Sequence, residues 1–309
     1  MRHLVMVGAC YLDTILSVPQ FPEEDAKLRA TSLRSRRGGN CGNSLEVLQQ
    51  YAPPDLALHL VTVLPRRGSA GTEQVHSSFA GTRVDLSHSV YREDQTDAAS
   101  CYVLHSQATG SRTIVNYNGL NDMTTEEFAG IAERFRNEDE QTWWHFEGRA
   151  PETTLECIYH LRHHLPRSRI SVEVEKPGRI GLRELAKEAD VVFYSKTWAE
   201  GEGYETAEDC LKGEIVPKAK LTLCTWGARG ACARPPSGCE VLRVEPVTDA
   251  AVQIVDAIGA GDTFVAGALH GLLEEWGAHR TVSFAVALAT AKVQQDGFGG
   301  LSTKVQAAG

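Results

Sequence analysis

The sequence predicts an α/β protein in which a central, mostly parallel sheet lies between two layers of helices and a second, smaller sheet is attached. Two observations support this prediction. From residue 56 onward, short apolar runs of strand length alternate with helical patterns, and strands that alternate with helices form a parallel sheet covered on both faces. Segments with a period-two pattern interrupt this alternation twice in the first 120 residues, which indicates a separate small sheet.

The main sheet begins at the apolar run Leu4–Cys10, which is typical of a central strand buried on both faces. The further predicted strands are 58–64, 142–147, 170–175, 190–194 and 219–225, with a short strand end at 252–255. The predicted helices lie near 70–80, 152–164, 206–216, 261–276 and 281–295. Because no repeat or low-complexity linker divides the chain, we expect a single domain over residues 1–309.

The small sheet is expected from two inserts, at about 12–36 and 97–120, which would form a lid over the main domain. The first insert contains the alternating segments 14–18 and 27–33, and the second contains a hairpin of segments 98–105 and 111–117. Alternating apolar residues would give these strands an exposed apolar face, carried by Ile15, Leu16 and Val18 beside Val103 and Ile114. Uncovered faces of this kind invite association. We therefore expect a homodimer in which two lids pack together.

Composition and charge exclude several classes of partner. The net charge is −9, so there is no basic excess to meet the phosphates of a nucleic acid. No stretch approaches the ~20 apolar residues that span a bilayer, and we find no export signal. The eight cysteines show no C-x-x-C pair, which argues against a zinc site. We expect free thiols and a cytoplasmic location.

The stretch Asp256–Phe264 places two glycines and a carboxylate between a strand end and a helix. A helix N-terminus offers unpaired N–H groups and a partial positive charge, and a glycine-rich approach lets an anion reach them. Gly259, Ala260 and Gly261 therefore form a candidate anion hole. Asp262 in the first turn would stay ionised near neutral pH and could accept a proton beside a bound phosphate. The alternative is a tight turn followed by an ordinary helix-start carboxylate.

Polar residues near the N-terminus form a second candidate site. Gly39 precedes Asn40 and Asn43, whose three-residue spacing at a helix start would aim two amides at one ligand. Amides both donate and accept hydrogen bonds, so the pair suits a polyhydroxylated molecule. Asp13 follows the first strand and would lie at the carboxyl edge of the sheet. The alternatives are Asn40 as a helix N-cap and Asp13 as a loop acid that caps a turn.

Together, these motifs resemble the ribokinase-like (PfkB) family of sugar kinases, and within it the ketohexokinase group. The resemblance covers essentially the whole chain, and the Val-Glu-Val-Glu-Lys-Pro run favours the ketohexokinase group. The matching stretches are Gly38–Asn43, Gly110–Ile114, Glu147–Arg149, Val172–Pro177, Thr225–Ala231 and Asp256–Phe264.

The resemblance implies a role for each matching residue. It makes Asp262 the base that accepts the proton of a sugar hydroxyl, while Gly259, Ala260 and Gly261 donate backbone N–H groups to the transferred phosphoryl group. The sugar hydroxyls would be bound by Asp13, Asp25, Gly39, Asn40 and Asn43. The ATP site would comprise Arg112, Thr225, Gly227 and Gly230. Mg²⁺ would accompany ATP, and a monovalent cation, K⁺, would lie near Asp256.

The implied activity is an ATP-dependent kinase that phosphorylates a primary hydroxyl of a small sugar, with fructose to fructose 1-phosphate as the leading case. A related kinase acting on a pentose, a sugar acid or a nucleoside is one alternative. A sugar-binding regulator that has kept the fold and lost turnover is another, because a fold alone does not determine function.

Overall fold

The computed structural model describes residues 1–137, 141–236, 240–246 and 253–306. The strands within these ranges are β1 (Arg2–Val7), β2 (Tyr11–Val18), β3 (Ser32–Gly38), β4 (Leu56–Val61), β5 (Val63–Pro65), β6 (Val84–Asp85), β7 (Val90–Arg92), β8 (Ser100–Ser106), β9 (Arg112–Tyr117), β10 (Gln141–Phe146), β11 (Arg169–Val174), β12 (Val191–Tyr194), β13 (Leu221–Thr225), β14 (Ala231–Arg234) and β15 (Leu242–Val244). The α-helices are α1 (Asn40–Leu48), α2 (Ala70–Ser78), α3 (Thr125–Ala132), α4 (Pro151–His164), α5 (Leu182–Glu188), α6 (Lys196–Gly201), α7 (Ala207–Gly213), α8 (Ala260–Leu273), α9 (Ala278–Val293) and α10 (Leu301–Gln306).

The large sheet has the strand order β15-β14-β13-β12-β11-β10-β1-β4-β6. Seven neighbouring strands of this sheet pair in parallel: β6, β4, β1, β10, β11, β12 and β13. Strands β14 and β15 add an antiparallel edge beside β13. This confirms the predicted mostly parallel sheet. None of the helices in the described ranges combines the length and apolar character needed to cross a membrane.

Two apolar cores lie on opposite faces of the large sheet. Side chains alternate along β1, so Leu4 and Met6 join one core while Val5 joins the other. The first core is closed by helices that include α1, α8 and α9, and the second by α3, α4, α5 and α7. The adjacent Trp143 and Trp144 of β10 divide between the two cores in the same way. The three-layer arrangement follows from this two-sided burial.

The lid is a separate four-stranded sheet with the order β3-β2-β8-β9. The cross-strand register places Ile15, Val103 and Ile114 on one face, together with Asp13. We call this the inner lid face, because its polar residues meet the main domain as described below. The opposite face carries four side chains that are each more than half exposed, and we call it the outer lid face: Leu33, Tyr102, Val115 and Tyr117.

Four predicted elements differ from the structure. The strand predicted at 58–64 is divided between β4 of the large sheet and β5, which pairs with β7 in a separate two-stranded sheet. The run Leu4–Cys10 is split: β1 ends at Val7, and Asp13 lies inside β2 rather than directly after the buried strand. The second lid strand is 32–38 instead of 27–33, because charged residues occupy both faces of β3 and hide its periodicity. The strand end at 252–255 is not formed over 253–255, and Val252 lies outside the described residues.

The apolar residues expected to be exposed on the lid also needed correction. Ile15, Val18 and Val103 are buried within the chain, Leu16 is half-buried and Ile114 is exposed. Ile15 and Val103 lie on the inner lid face, which turns toward the main domain, whereas Val18 lies on the opposite face of β2. All three side chains are covered by the chain's own residues. The apolar surface that remains open is mainly on the outer lid face, and Ile114 adds one exposed apolar side chain on the inner lid face.

All seven cysteines in the described residues are free thiols, as expected, and Cys239 lies outside those residues.

Candidate active site

Two of the predicted site residues, Asn43 and Asp262, meet near the carboxyl ends of the parallel strands, where open α/β sheets bind their ligands. Helix α1 begins after β3, and α8 begins beside it. The two helices are joined near their first turns, because the Ser44 hydroxyl donates a 2.9 Å hydrogen bond to the backbone oxygen of Asp262. The first turn of α1, which carries Asn40 and Asn43, and the Asp262 carboxyl group of α8 therefore share one location.

The turn at residues 259–262, called here the anion-hole turn, has the geometry of a helix N-terminus with open access. Gly259 is the residue before α8 and has φ of +77°, a conformation that favours glycine. A Cβ at Gly259 would lie 2.6 Å from Cε1 of Phe298. At Gly261, by contrast, a Cβ would meet no atom within 4 Å. The first-turn amides of α8 therefore face a space that an anion can enter.

The Asp262 carboxyl group accepts a hydrogen bond from Asn43, and neighbouring acids raise its pKa. The Asn43 amide donates a 2.7 Å hydrogen bond to Oδ2 of Asp262. Burial, reinforced by the negative charge of Glu173, raises the pKa of Asp262 to about 8 although the Asn43 hydrogen bond opposes the shift. We expected an ionised carboxylate at neutral pH from the helix dipole. Without a bound ligand, burial and the nearby negative charges raise the pKa of Asp262 by more than the dipole of α8 lowers it.

The orientation of Asn43 is fixed from behind by Arg37. The buried Arg37 guanidinium donates a 3.0 Å hydrogen bond to Oδ1 of Asn43 and pairs with Glu46. It also lies 4.4 Å from the ring centroid of Phe79. Because Oδ1 accepts from Arg37, the NH₂ group of Asn43 must be the end that faces Asp262.

Asn40 is not the N-cap of α1, so that alternative is wrong. The residue before the helix is Gly39, whose φ of +108° and close approach to the carbonyl oxygen of Ala9 leave no room for a Cβ. The Asn40 amide instead donates to Glu173 at 2.9 Å and to Glu175 at 3.0 Å. Burial and the Glu175 charge raise the pKa of Glu173 to about 8. Two glutamates thus meet at one amide beside the anion-hole turn.

The inner lid face reaches the loop that leads into the anion-hole turn. The Arg36 guanidinium lies between two carboxylates, with Nε 3.5 Å from Oδ2 of Asp13 and Nη1 3.6 Å from Oδ2 of Asp256. Nη1 of Arg112 lies 4.0 Å from Oδ1 of Asp256. A cleft of about 420 Å³ separates this face from the loop, and Arg34 also lines it. Asp256 and Asp296 also line the cleft, and Nη1 of Arg34 lies 2.7 Å from Oδ2 of Asp296. Three guanidiniums against two carboxylates leave an excess of positive charge, which favours an anionic ligand.

The two aspartates predicted at the sugar site lie in different surroundings. Asp13 projects from β2 against Gly38, where a Cβ would lie 2.5 Å from Oδ1 of Asp13. Burial raises the pKa of Asp13, although Arg36 opposes the shift. Asp25 is exposed in the loop between β2 and β3, with φ of +63°. No contact in the described part of the chain joins Asp25 to the other site residues.

The predicted nucleotide residues follow the end of β13. Thr225 ends the strand, and the Trp226 amide closes a tight turn by donating to the Gly230 oxygen at 2.7 Å. Gly227 and Gly230 both have positive φ, +59° and +80°. The described contacts do not join this turn to Asp262, so its role in ATP binding stays a prediction.

The side chains near the site fit one of the two implied metals. Carboxylate oxygens are the ligands that Mg²⁺ prefers, and those of Glu173 and Glu175 converge on Asn40. The carboxylate of Asp256, by contrast, already accepts a 2.8 Å hydrogen bond from the ammonium of Lys292. With Arg36 and Arg112 also near this carboxylate, it does not fit a further monovalent cation.

Sequence reasoning missed five residues that the structure places here: Arg36, Arg37, Glu173, Glu175 and Lys292. Arg36 and Arg37 directly precede the glycine pair, but nothing in their spacing shows which acid or amide they contact. Glu173 and Glu175 were noticed only as parts of the Val-Glu-Val-Glu-Lys-Pro run. Lys292 lies among small and apolar residues of α9, and a lone lysine in such a pattern gives no indication of a partner 36 positions away.

Comparisons with known proteins identify the family and the fold. The sequence model of the pfkB family of carbohydrate kinases matches residues 1–304. The ketohexokinase of Mus musculus is 31% identical, over 97% of this chain and 99% of its own length. The ribokinase of Thermotoga maritima superposes with a TM-score of 0.77 at 16% identity, covering 98% of this chain and 99% of its own. A nucleoside kinase of Methanocaldococcus jannaschii superposes with a TM-score of 0.73 at 16% identity, covering 99% and 97%. The family model and the mouse relative establish that this chain belongs to the PfkB family of carbohydrate kinases.

Proposed function

We propose that this carbohydrate kinase transfers the γ-phosphoryl group of ATP to a primary hydroxyl of a small sugar. The specific substrate that we propose is fructose, which would give fructose 1-phosphate. The observation that carries the proposal is the meeting of Asp262, Asn43 and the open anion-hole turn at one point. A proton acceptor beside an anion site is what phosphoryl transfer to a hydroxyl requires.

In the proposed reaction, Asp262 takes the proton of the attacking hydroxyl as the new O–P bond forms. The bond between the γ-phosphorus and the β–γ bridging oxygen breaks in the same step, and ADP leaves. The amides of Gly259, Ala260 and Gly261 stabilise the negative charge on the transferred group. Arg112 neutralises charge on the ATP phosphates from the lid, and Arg36 lies on the same face. Thr225, Gly227 and Gly230 shape the nucleotide shelf.

The sugar is proposed to bind between α1 and the inner lid face. Asp13, Gly39, Asn40 and Asn43 offer carboxylate, amide and backbone groups that can both donate to and accept from hydroxyls. Asp25 would join them from the loop after β2. Asn40 and Asn43 would then exchange part of their present bonds to acids for bonds to the sugar.

Mg²⁺ is proposed to enter with ATP and to be held by Glu173 and Glu175. When bound, such an ion neutralises phosphate charge and helps orient the nucleotide. Its positive charge would also lower the pKa of the neighbouring acids. We place the reaction in the cytoplasm, because free thiols persist in reducing compartments.

The choice of fructose rests on the relative named ketohexokinase, which matches the chain over nearly its whole length. A panel of ketoses, pentoses, sugar acids and nucleosides with Mg-ATP and ADP detection tests it directly. We expect the highest kcat/KM for fructose, with phosphate on the 1-hydroxyl by NMR. A preference for a pentose or a nucleoside would favour the related-kinase alternative. Thermal stabilisation by a sugar without ADP production would favour a binding regulator.

A further inference from the structure

Lys292 is a fully buried ammonium at the back of the anion-hole turn. Its side chain has no solvent exposure. The ammonium donates 2.8 Å and 3.0 Å hydrogen bonds to Oδ2 and to the backbone oxygen of Asp256, and it lies 5.4 Å from the ring centroid of Phe298. A buried charge of this kind is tolerated only where it is paired and hydrogen-bonded. Here a carboxylate, a carbonyl and an aromatic face supply that environment.

The contacts of Lys292 hold the segment that leads into the anion-hole turn. The amides of Val255 and Asp256 donate to the Val293 oxygen at 2.8 Å and 3.2 Å. The Ile258 amide donates to Oδ1 of Asp256 at 2.9 Å. The position of this segment therefore depends on the C-terminal end of α9, and Lys292 supplies the charged contact.

The arrangement uses the groups that a bound monovalent cation would use. A carboxylate oxygen and a carbonyl oxygen are hard oxygen ligands, and both are occupied by one ammonium. Burial alone would raise the pKa of Asp256, but the hydrogen bonds from Lys292 and Ile258 hold it below its ordinary value. Arg36 and Arg112 add positive charge on the same carboxylate. A K⁺ ion at this place would meet repulsion from three side chains.

We propose that the Lys292 ammonium is a built-in replacement for a monovalent cation at Asp256, so that the anion-hole turn is ordered without K⁺. The inference deepens the proposed function, because the turn it orders is the one assigned to the phosphoryl group. Its structural part does not depend on turnover, and it can be tested by stability alone.

The first test compares thermal unfolding of the wild-type protein in potassium, sodium and tetramethylammonium chloride at equal ionic strength. We expect the same Tm in all three salts, and ADP formation that does not respond to K⁺. A saturable rise of Tm or of turnover with K⁺ in the wild-type protein would overturn the proposal. The Tm comparison tests the role of Lys292 even if no sugar supports ADP formation. Failure to form ADP would contradict the proposed function and not the role of Lys292.

The second test uses two variants that differ in the space they leave. Lys292→Ala removes the charge and opens a cavity, whereas Lys292→Met removes the charge and fills most of the volume. We expect both to lower Tm and to reduce turnover by about 100-fold, the effect of a misplaced catalytic segment. K⁺ or methylammonium should restore Tm and turnover in Lys292→Ala only, and tetramethylammonium should restore neither. The control, Lys304→Ala, changes an exposed lysine of α10.

Three outcomes of the variant test would contradict a built-in cation. One is wild-type Tm and turnover in Lys292→Met, which would make the charge dispensable. Another is equal rescue of both variants by K⁺, which would indicate a general salt effect. The third is a folded Lys292→Ala that no small cation restores. If Lys292→Ala does not fold, Lys292→Met and the wild-type salt comparison decide.

Discussion

At the scale of single residues, the central feature is a carboxyl group whose surroundings oppose its charge. Asp262 lies at the positive end of α8, yet burial and Glu173 raise its pKa to about 8. Asn43 opposes this shift with a hydrogen bond and is itself held by Arg37. The reactivity of Asp262 therefore depends on neighbours from α1 and β11 as much as on its own helix.

Replacing the carboxyl group by an amide tests the base role. Asp262→Asn keeps the shape and leaves an oxygen to accept from Asn43, so the fold should be unaffected. We expect kcat to fall by about 10²–10⁴-fold, the usual contribution of a general base. Sugar binding, measured by thermal shift, should change little. Asp55→Asn is the control, because Asp55 is exposed and pairs with Arg2. Wild-type turnover in Asp262→Asn would remove Asp262 from the base role.

The acids around Asp262 predict a specific pH dependence. A base must be deprotonated to act, so kcat/KM should rise with pH through a pKa near 8 in the free enzyme. Glu173→Gln removes a negative charge that favours the protonated form, so the pKa should fall and the acid limb should move to lower pH. The control is Glu200→Gln on the exposed side of α6. An unmoved limb, or one that moves to higher pH, would contradict this electrostatic account.

Sequence alone identified residues whose chemistry is local and missed those that act through distant partners. Asp262 and the glycines before it form one short motif, so their proximity is assured by the chain. Asn43 was selected for its place at a helix start, but its contact with Asp262 required α1 and α8 to pack together. Lys292 contacts Asp256, and Arg36 contacts both Asp13 and Asp256. No local pattern encodes contacts over such separations in the sequence.

At the scale of elements, α8 shows how a turn can be shaped for an anion. The residue before α8, Gly259, has a positive φ that favours glycine. Gly261 has no positive φ, and a Cβ there would meet no atom within 4 Å. The absence of a side chain at Gly261 is therefore unexplained by packing. We propose that it leaves space for a phosphoryl group.

This difference gives a direct test of the anion-hole turn. Gly261→Ala should leave Tm unchanged or slightly higher, because the added methyl group meets no atom within 4 Å and alanine favours a helix. We expect kcat/KM for ATP to fall by at least about tenfold, since the methyl group would occupy the space assigned to the phosphoryl group. The control is Gly130→Ala in α3, where a Cβ also meets nothing. Equal activity of both variants would leave Gly261 as a simple turn residue.

Elements with a uniform apolar pattern were predictable, and those with mixed faces were not. The strand predicted at 142–147 and the helix predicted near 152–164 match β10 and α4 closely, because each buries side chains in a regular pattern. The run Leu4–Cys10 hid a boundary, since the chain leaves the large sheet after Val7 and enters the lid without a polar residue between. Strand β3 was misplaced because its arginines serve the site rather than a core.

At the scale of the whole molecule, the lid has one face committed to the site and one face left open. Asp13, Arg36 and Arg112 lie on the inner lid face, and the four apolar side chains of the outer lid face remain exposed. Apolar surface of this kind at the edge of a protein favours association. We propose that two outer lid faces pack together in a homodimer.

Association through the lid predicts a selective effect of one charge. The wild-type protein should sediment as a dimer, and Val115→Glu should shift it toward a monomer, because a carboxylate would be buried without a partner. Ile180→Glu is the matched control, since Ile180 is 95% exposed and lies outside the lid. A wild-type protein that stays monomeric at all concentrations, or equal dissociation of both variants, would contradict the lid interface.

The pairing of β2 with β8 has a consequence for how the molecule forms and opens. These strands lie side by side in parallel, yet β3, α1, β4 to β7 and α2 separate them along the chain. The entropy of closing so long a loop must be overcome before their pairing is gained. The lid should therefore complete late in folding, once the first half of the large sheet has brought its two segments together. The same connectivity makes it a cooperative unit of its own, in which amide hydrogens of β2 and β8 exchange together and sooner than those of β1 and β10.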